Sequence, residues 1–418
     1  MAERSGDTAL RGRCCSRKRR GATLPAAVQS LCSELRLAVI ALLGDFRIAT
    51  VNSSHPTRVL FGCERLAAGR GGISRVARLM ARALGDAATA GKVSVNCASL
   101  SDEGDVREFP FPVAAQGGSR ARFLFHVLRG LRHADLAIYD FAGTARAHVR
   151  WFGHRVPSLT MIHGIEVWEQ AMPHHLKSCR QATFLLANSA FTRDKANRIH
   201  GGFARARVCW LATEEDEPVV VKGERKLQIF IVGRMQNGRD KGHSALIDAM
   251  PQVVARVPSA RLIIVGAGDT CDVLKHQASA SAAKSAIEFR GFVPEQEIKE
   301  LWAESAVFAM PSYGEGFGLV YIEAMRYGLP VVASTLDAAT EINLHGQTGY
   351  NVDPRDVPSL SNVLVALLDS PVKAREMGAA GQRHWSAHFR YSAFRERFLQ
   401  QLQQVLNDDT NGALLNLP

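Results

Sequence analysis

Short apolar runs alternate with amphipathic stretches along most of this chain. RVLFGCE from Arg58 is the first strong strand pattern. It leads through the glycine-rich loop AAGRGGIS into SRVARLMARAL, whose Val76, Leu79, Met80 and Ala83 form the buried side of a helix. Arg75, Arg78 and Arg82 share the opposite face, which reads as a solvated surface, with anion binding as the alternative. DLAIYDF, SLTMIHGI, ATFLLANS and ARVCWLA continue the series. After a charged, irregular stretch near Lys222 it resumes with KLQIFIVGR, RLIIVGAGD, AIEFRGF, AVFAMPS and PVVAS, separated by helical segments such as HSALIDAMPQVVARV. Such alternation predicts parallel sheets covered by helices on both faces, in two doubly wound domains.

At 418 residues the chain exceeds what one core usually serves. The predicted divisions are a basic, disordered or partly helical extension at 1–57, an N-terminal domain at 58–222 and a C-terminal domain at 223–385. A helical tail at 386–418 would pack back on the N-terminal domain, with Trp385, Phe389, Phe394 and Phe398 as packing residues. No apolar run approaches the roughly 20 residues of a membrane-spanning helix. The extension carries Arg17, Lys18, Arg19 and Arg20 and an amphipathic stretch from Leu24 to Phe46, but lacks the pattern of a signal peptide.

Charge is divided unevenly. Residues 1–222 hold 32 Lys/Arg against 19 Asp/Glu, and residues 223–418 hold 19 against 21. The basic half suggests an anionic partner, either an acidic acceptor or a negatively charged membrane surface. Nucleic acid is not expected, since no aromatic-studded basic stripe or zinc-finger spacing accompanies the charge. The eight cysteines are scattered without a Cys-x-x-Cys pair, which reads as a reducing, cytoplasmic setting, and the adjacent Cys14 and Cys15 read as part of an unstructured tail.

The most informative segment is PSYGEGFGLVYIEAMRYGLPVVAS, from Pro311. It places Gly314, Gly316 and Gly318 between a strand and a helix, where free amides and the helix dipole suit a pyrophosphate. Glu315 in the loop and Glu323 in the helix can each accept from sugar or ribose hydroxyls. Arg234 and Lys241, in VGRMQNGRDKG, can neutralise the diphosphate.

These motifs strongly resemble those of the retaining glycosyltransferases of family 4, also called group 1, over about residues 58–398. The resemblance implies a GT-B fold, with two Rossmann-like domains facing a central cleft. It implies Glu315 on the donor-sugar hydroxyls, Glu323 on the ribose, and Arg234 and Lys241 as the diphosphate clamp. The amides of Gly316, Phe317 and Gly318, with Leu319 and Val320, resemble the cradle, and Phe292 and Val293 match the base-flanking position. Across the cleft, Gly71 and Gly72 resemble the loop closing on the phosphates. His163, in MIHGIEVWE, resembles the histidine near the reacting sugar.

The implied activity is sugar transfer from a UDP-, GDP- or ADP-sugar to a glycan or lipid-linked acceptor, with retention of configuration. The expected site of action is cytoplasmic, peripheral at the inner membrane. No cofactor and no metal are expected, because the chain has no Asp-x-Asp pair for a diphosphate-bound metal. In place of the family's Gly-Gly-x-Pro-Glu segment stands DAATEI, which keeps Glu341 and puts the donor-sugar contacts there in question. VGAGD suggests a nicotinamide oxidoreductase, but a bare Gly-x-Gly lacks the rest of that fingerprint. Pyridoxal-dependent phosphorylases are much longer chains. The remaining rival is a non-catalytic sugar-nucleotide binder or assembly partner.

Overall fold

The computed structural model describes residues 55–67, 71–149, 156–238 and 240–410. The extension up to residue 54, with its Arg17–Arg20 cluster, its amphipathic stretch and Cys14 and Cys15, lies outside them.

The first half comprises β1 (Thr57–Cys63), α1 (Gly71–Thr89), β2 (Val93–Ser99), β3 (Val113–Ala115), α2 (Arg120–Leu131), β4 (Leu136–Tyr139), β5 (Ser158–Ile162), α3 (Pro173–Gln181), β6 (Phe184–Ala187), α4 (Ala190–His200) and β7 (Arg207–Val208). The second comprises β8 (Lys226–Val232), α5 (His243–Arg256), β9 (Arg261–Val265), α6 (Cys271–Ala280), β10 (Ile287–Gly291), α7 (Glu295–Glu304), β11 (Ser305–Ala309), α8 (Leu319–Arg326), β12 (Val331–Ser334), α9 (Ala339–Ile342) and β13 (Gly349–Val352). Three helices close the chain: α10 (Val357–Leu368), α11 (Pro371–His388) and α12 (Tyr391–Thr410).

The strands form two parallel sheets, ordered β3-β2-β1-β4-β5-β6-β7 and β10-β9-β8-β11-β12-β13. Each sheet reverses its strand order once, between β1 and β4 and between β8 and β11. Ligands of open parallel sheets bind outside the carboxyl ends of the strands at such a point. The central strands are apolar throughout, as burial on both faces requires: every residue of β4 and of β11 is buried.

β2, β3 and β13 were not among the expected strands. Asn96 interrupts the apolar run of β2, β3 has only three residues, and β13 opens on a glycine. Gly349 is needed there, since a Cβ would lie 1.8 Å from the Val331 carbonyl oxygen of the paired strand. β7, expected to run through ARVCWLA, is only two residues long. Trp210 instead turns to pack on Phe389, with ring centroids 5.7 Å apart.

The chain turns at Phe389 and Arg390, after α11, and α12 then lies along α1 of the N-terminal domain. Tyr391 donates to Asp86 at 2.6 Å, and Arg397 donates to the Trp210 carbonyl at 3.0 Å. Trp385, Phe389, Phe394 and Phe398 are all buried and join a core continuous with both sheets. Trp385 also donates to Thr213 at 3.2 Å, tying α11 to the connection between the domains. Trp385→Ala should lower stability by about 3–5 kcal/mol through the cavity left behind. Denaturant melts of the full chain would read this as a lower midpoint at unchanged slope.

The arginine face of α1 is only partly solvated, with Arg82 exposed and Arg75 and Arg78 half-buried, and its arginines are engaged by the protein itself. Arg78 donates to Glu214 at 3.1 Å, to Glu108 and to the Leu66 carbonyl. Arg82 lies over the Tyr391 ring, 3.6 Å from its centroid, and donates to the Glu214 carbonyl. The charged connection near Lys222 is thereby pinned: Arg326 pairs with Glu215, and Asp216 accepts from the Ser392 amide.

Candidate active site

Almost every residue singled out in the sequence lies at the carboxyl end of a strand. Arg234 and Lys241 follow β8, the loop from Pro311 to Gly318 follows β11, and His163 follows β5. The two loops of the C-terminal domain are stitched together. The Tyr313 amide donates to the Asp240 carbonyl at 3.0 Å, and the Asp240 carboxylate accepts from the Gly242 amide at 2.8 Å. Gly242 has φ +91°, and a Cβ there would meet the Pro311 carbonyl oxygen at 2.4 Å. Glycine alone permits that approach.

Lys241, so placed, forms an ion pair with Glu315. The Glu315 amide donates to Asp337 at 3.0 Å, and its carbonyl accepts from the Ala338 amide at 3.1 Å, so the backbone beneath this carboxylate is held on both sides. Gly318 caps α8 at φ +87° with no side-chain hydrogen bond to the helix's first amides. The start of α8, Leu319 and Val320, is half-buried, and its amide end can serve an anion. Phe317 contributes no ring to this cradle: its side chain is buried, with its centroid 6.1 Å from that of Phe389. Tyr321 fixes the helix from below by donating to the Met310 carbonyl at 2.8 Å.

The N-terminal domain supplies the facing wall. Gly71 opens α1 at φ +80°, and a Cβ on it would stand 3.1 Å from the guanidinium of the exposed Arg234. Gly72 has open space around its Cβ direction. One turn into α1, Arg75 reaches across the cleft and pairs with Glu323 of α8. Coulombic attraction to Glu323, helped by this bond, raises the Arg75 pKa above its usual value against the opposing effect of burial.

His163 is brought to the same place. Its Nε2 lies 2.6 Å from the Asp140 carbonyl oxygen. A carbonyl can only accept, so Nε2 carries the hydrogen and Nδ1 keeps a lone pair in the neutral ring. The His163 carbonyl accepts from Asn188 at 3.0 Å and sits so close to Gly316 that a Cβ there would be 1.8 Å from it. The Gly316 carbonyl in turn accepts from Ser189, the N-cap of α4, at 2.6 Å and from Thr192 in its first turn at 3.1 Å. The histidine and the two-glutamate loop are thus locked against one another across the domain boundary.

Glu341 has a structural task. It accepts from the first amides of α4, Ala190 at 2.9 Å and Phe191, and from the Trp210 ring nitrogen at 3.3 Å. A carboxylate at a helix N-terminus is favourably placed, and here cap and helix belong to different domains. Phe292 is 89% exposed at the end of β10, two strands from β8, with Val293 buried behind it. The glycines of VGAGD serve backbone packing. A Cβ on Gly266 would be 1.9 Å from the Gly233 carbonyl oxygen, and one on Gly268 would be 1.8 Å from that of Met235.

Sequence reasoning missed Asp140 and Asp337, which hold His163 and Glu315 from behind. Both are fully or nearly buried, and desolvation pushes each pKa up to about 7. An aspartate at the end of DLAIYDF and another four residues before Glu341 were visible, but their partners lie 23 and 22 residues away. A carboxyl with a raised folded-state pKa stabilises the fold while protonated, and that contribution is lost as pH rises through the folded value. Thermal midpoints should therefore fall between about pH 4 and pH 7 on account of these two groups. Asp337→Asn should flatten part of that slope in melts run across the same range.

Residues 226–370 match the family model described as glycosyl transferases group 1. The matched stretch makes up most of the C-terminal domain. The chain is also similar to curated relatives. One is the GDP-mannose-dependent monoacylated alpha-(1-6)-phosphatidylinositol monomannoside mannosyltransferase of Corynebacterium glutamicum, 38% identical over 170 residues, or 39% of this chain and 44% of that protein. Another is the phosphatidyl-myo-inositol mannosyltransferase of Mycobacterium tuberculosis, 38% identical over 158 residues, or 37% of this chain and 41% of that protein. The chain thus spans a little under half the length of the curated relatives it matches.

Among solved structures, HepE of Anabaena in complex with UDP and glucose superposes with a TM-score of 0.67 at 19% identity, over 83% of this chain and 100% of that one. Sucrose-phosphate synthase of Thermosynechococcus elongatus does so with 0.65 at 19% identity, over 84% and 99%. The two domains together have the GT-B fold expected from the sequence.

Proposed function

We propose that the chain is a retaining, metal-independent glycosyltransferase that moves mannose from GDP-mannose to a lipid-borne acceptor of the phosphatidylinositol class, at the cytoplasmic face of a membrane. One observation carries the reading: two cations and two carboxylates, Arg234, Lys241, Glu315 and Glu323, meet at the switch point of the second sheet, opposite Gly71 and His163. The donor base and sugar follow the relatives' specificity. The basic N-terminal half suits an anionic lipid acceptor.

In this reading Arg234, Lys241 and the amide end of α8 bind the diphosphate, and Glu323 holds the ribose hydroxyls in exchange for Arg75. Glu315 accepts from hydroxyls of the transferred sugar, and His163 Nδ1 accepts from another. As the bond from the anomeric carbon to the diphosphate oxygen breaks, the acceptor oxygen bonds to that carbon on the same face. The acceptor's proton passes to the leaving phosphate oxygen, and the cations stabilise the departing GDP. No carboxylate needs to act as nucleophile. Closure of the N-terminal wall keeps water from the developing cation.

The test is transfer of labelled sugar from GDP-mannose, with UDP-glucose and ADP-glucose alongside, to a phosphatidylinositol-based acceptor in the presence of EDTA. The one-bond carbon–proton coupling at the new anomeric carbon reads the stereochemistry. An α-linked product formed with EDTA present supports the reading, and an inverted product or strict metal dependence refutes those parts of it. Nucleotide binding without turnover on any acceptor would favour the non-catalytic binder.

A further inference from the structure

A second cavity lies at the far end of α1 from the donor cleft. α1 starts beside the cleft at Gly71 and rises roughly 27 Å to Thr89, after which Lys92 leads into the amino end of β2. α12 packs along this end of α1. Between them is a cavity of about 550 Å³, bounded by Asp86 and Lys92 on one side and by Arg390, Arg395, Glu396 and Gln403 on the other. That volume falls within the range of small-molecule sites.

The charges around this cavity are not balanced internally. Asp86 is committed, since it accepts from Tyr391 at 2.6 Å and from Arg395 at 3.4 Å. Among the described residues Lys92 and Arg390 have no ion-pair partner, and the Arg390 Nε is buried without a hydrogen-bond acceptor. A desolvated donor left in this way is costly unless something else satisfies it. Lys92 is exposed on the opposite wall. Glu396, Gln400 and Gln403 stand four and three residues apart on α12, so they share one helix face, and all three are exposed along the cavity.

Two unmatched cations beside a face of amide and carboxylate groups fit one class of ligand. A phosphate monoester carries close to two negative charges at neutral pH, enough for both cations. Sugar hydroxyls can donate to Glu396 and both donate to and accept from the glutamines. A phosphodiester or a single carboxylate would leave one cation unmatched, and an apolar ligand would leave both.

We propose that this cavity is a second ligand site, separate from the donor cleft, that takes a small sugar or polyol phosphate. The phosphate sits between Lys92 and Arg390, and the hydroxyls lie on Glu396, Gln400 and Gln403. Lys92 belongs to the N-terminal domain and Arg390 to the turn between α11 and α12, so the ligand ties the returning tail to that domain. The site does not depend on the function proposed above.

The test is calorimetric titration of the full chain with mannose 6-phosphate, beside inorganic phosphate and mannose. The wild type should take up mannose 6-phosphate at one saturable site, bind phosphate more weakly and ignore mannose. Lys92→Gln and Arg390→Gln should each weaken uptake at least about tenfold, the usual effect of removing one charge-assisted hydrogen bond. Lys92 is exposed, so its variant should keep the wild-type melting temperature. Lys241→Ala, altered in the donor cleft, should bind mannose 6-phosphate as the wild type does, and Lys92→Gln should bind GDP-mannose as the wild type does. The proposal fails if the wild type does not bind mannose 6-phosphate or if Lys92→Gln binds it equally well. It also fails if Lys241→Ala alone loses binding, which would put the phosphate in the donor cleft. Equal affinity for phosphate and mannose 6-phosphate would overturn the assignment of a sugar. Binding of mannose 6-phosphate that depends on Lys92, in a wild type that ignores GDP-mannose, would leave this site standing and remove the donor reading.

Discussion

Lys241→Ala is expected to lower the rate of sugar transfer by about 10²- to 10³-fold, the usual effect of removing one preorganised group that stabilises charge developing on a leaving oxygen. Two consequences of the geometry combine. The variant loses a cation for the diphosphate, and it leaves Glu315, half-buried and paired with Lys241 in the structure, without its counter-charge. The loss should appear chiefly in kcat, because the phosphate charge grows as the glycosidic bond breaks. The loop itself is held by Asp240, Gly242 and Pro311, so the fold should persist, and an unchanged circular dichroism spectrum would show it. A variant as fast as the wild type would remove Lys241 from the chemistry.

Gly316→Ala is expected to lower transfer by about 10²-fold without any change in the charge of the site, because displacing reacting groups by about 1 Å has that order of effect. The added Cβ would fall 1.8 Å from the His163 carbonyl oxygen and 3.3 Å from the Thr192 hydroxyl. The obstacle is backbone, which cannot swing aside, so the loop or the whole domain must retreat. The Ser189 and Thr192 bonds to the Gly316 carbonyl would stretch with it. Steady-state rates, with melting temperature as a check on folding, would measure the effect. Normal activity would mean that the two walls need not meet this closely.

The two-domain architecture was legible because parallel strands buried on both faces are short, mainly apolar runs, as in LAIY of β4, IFIV of β8, LIIV of β9 and AVFA of β11. The glutamate pair was legible because a strand, three glycines and a helix start occur within one short segment. Across the domain boundary the chain gave no such local signal. Arg75, Arg78 and Arg82 look alike in sequence, yet one pairs with Glu323 and the others with the connection near Glu214. Their partners lie 248, 136 and 132 residues away, and no periodicity encodes that. Glu341 shows the same limit from the other side. Its position in the motif suggested a ligand contact, and the fold gives it the N-terminus of α4 to cap.

The Glu341 cap and the Gly316 lock both join the N-terminal domain to the C-terminal domain beside the cleft. They favour a closed arrangement in which donor and acceptor walls are already close. In the proposed reading, a donor entering this site exchanges its hydroxyls for Arg75 on Glu323 and for Lys241 on Glu315.

The central claim is that this cleft binds a nucleotide-diphosphate sugar through those charges. Calorimetric titration of the wild type and of Lys241→Ala with GDP-mannose, in EDTA, tests it most directly. One saturable site is expected on the wild type, weakened at least about tenfold in the variant, the effect of losing about 1.4 kcal/mol of binding free energy. Equal affinity in the two proteins, or no binding of GDP-mannose, UDP-glucose or ADP-glucose to the wild type, would contradict it.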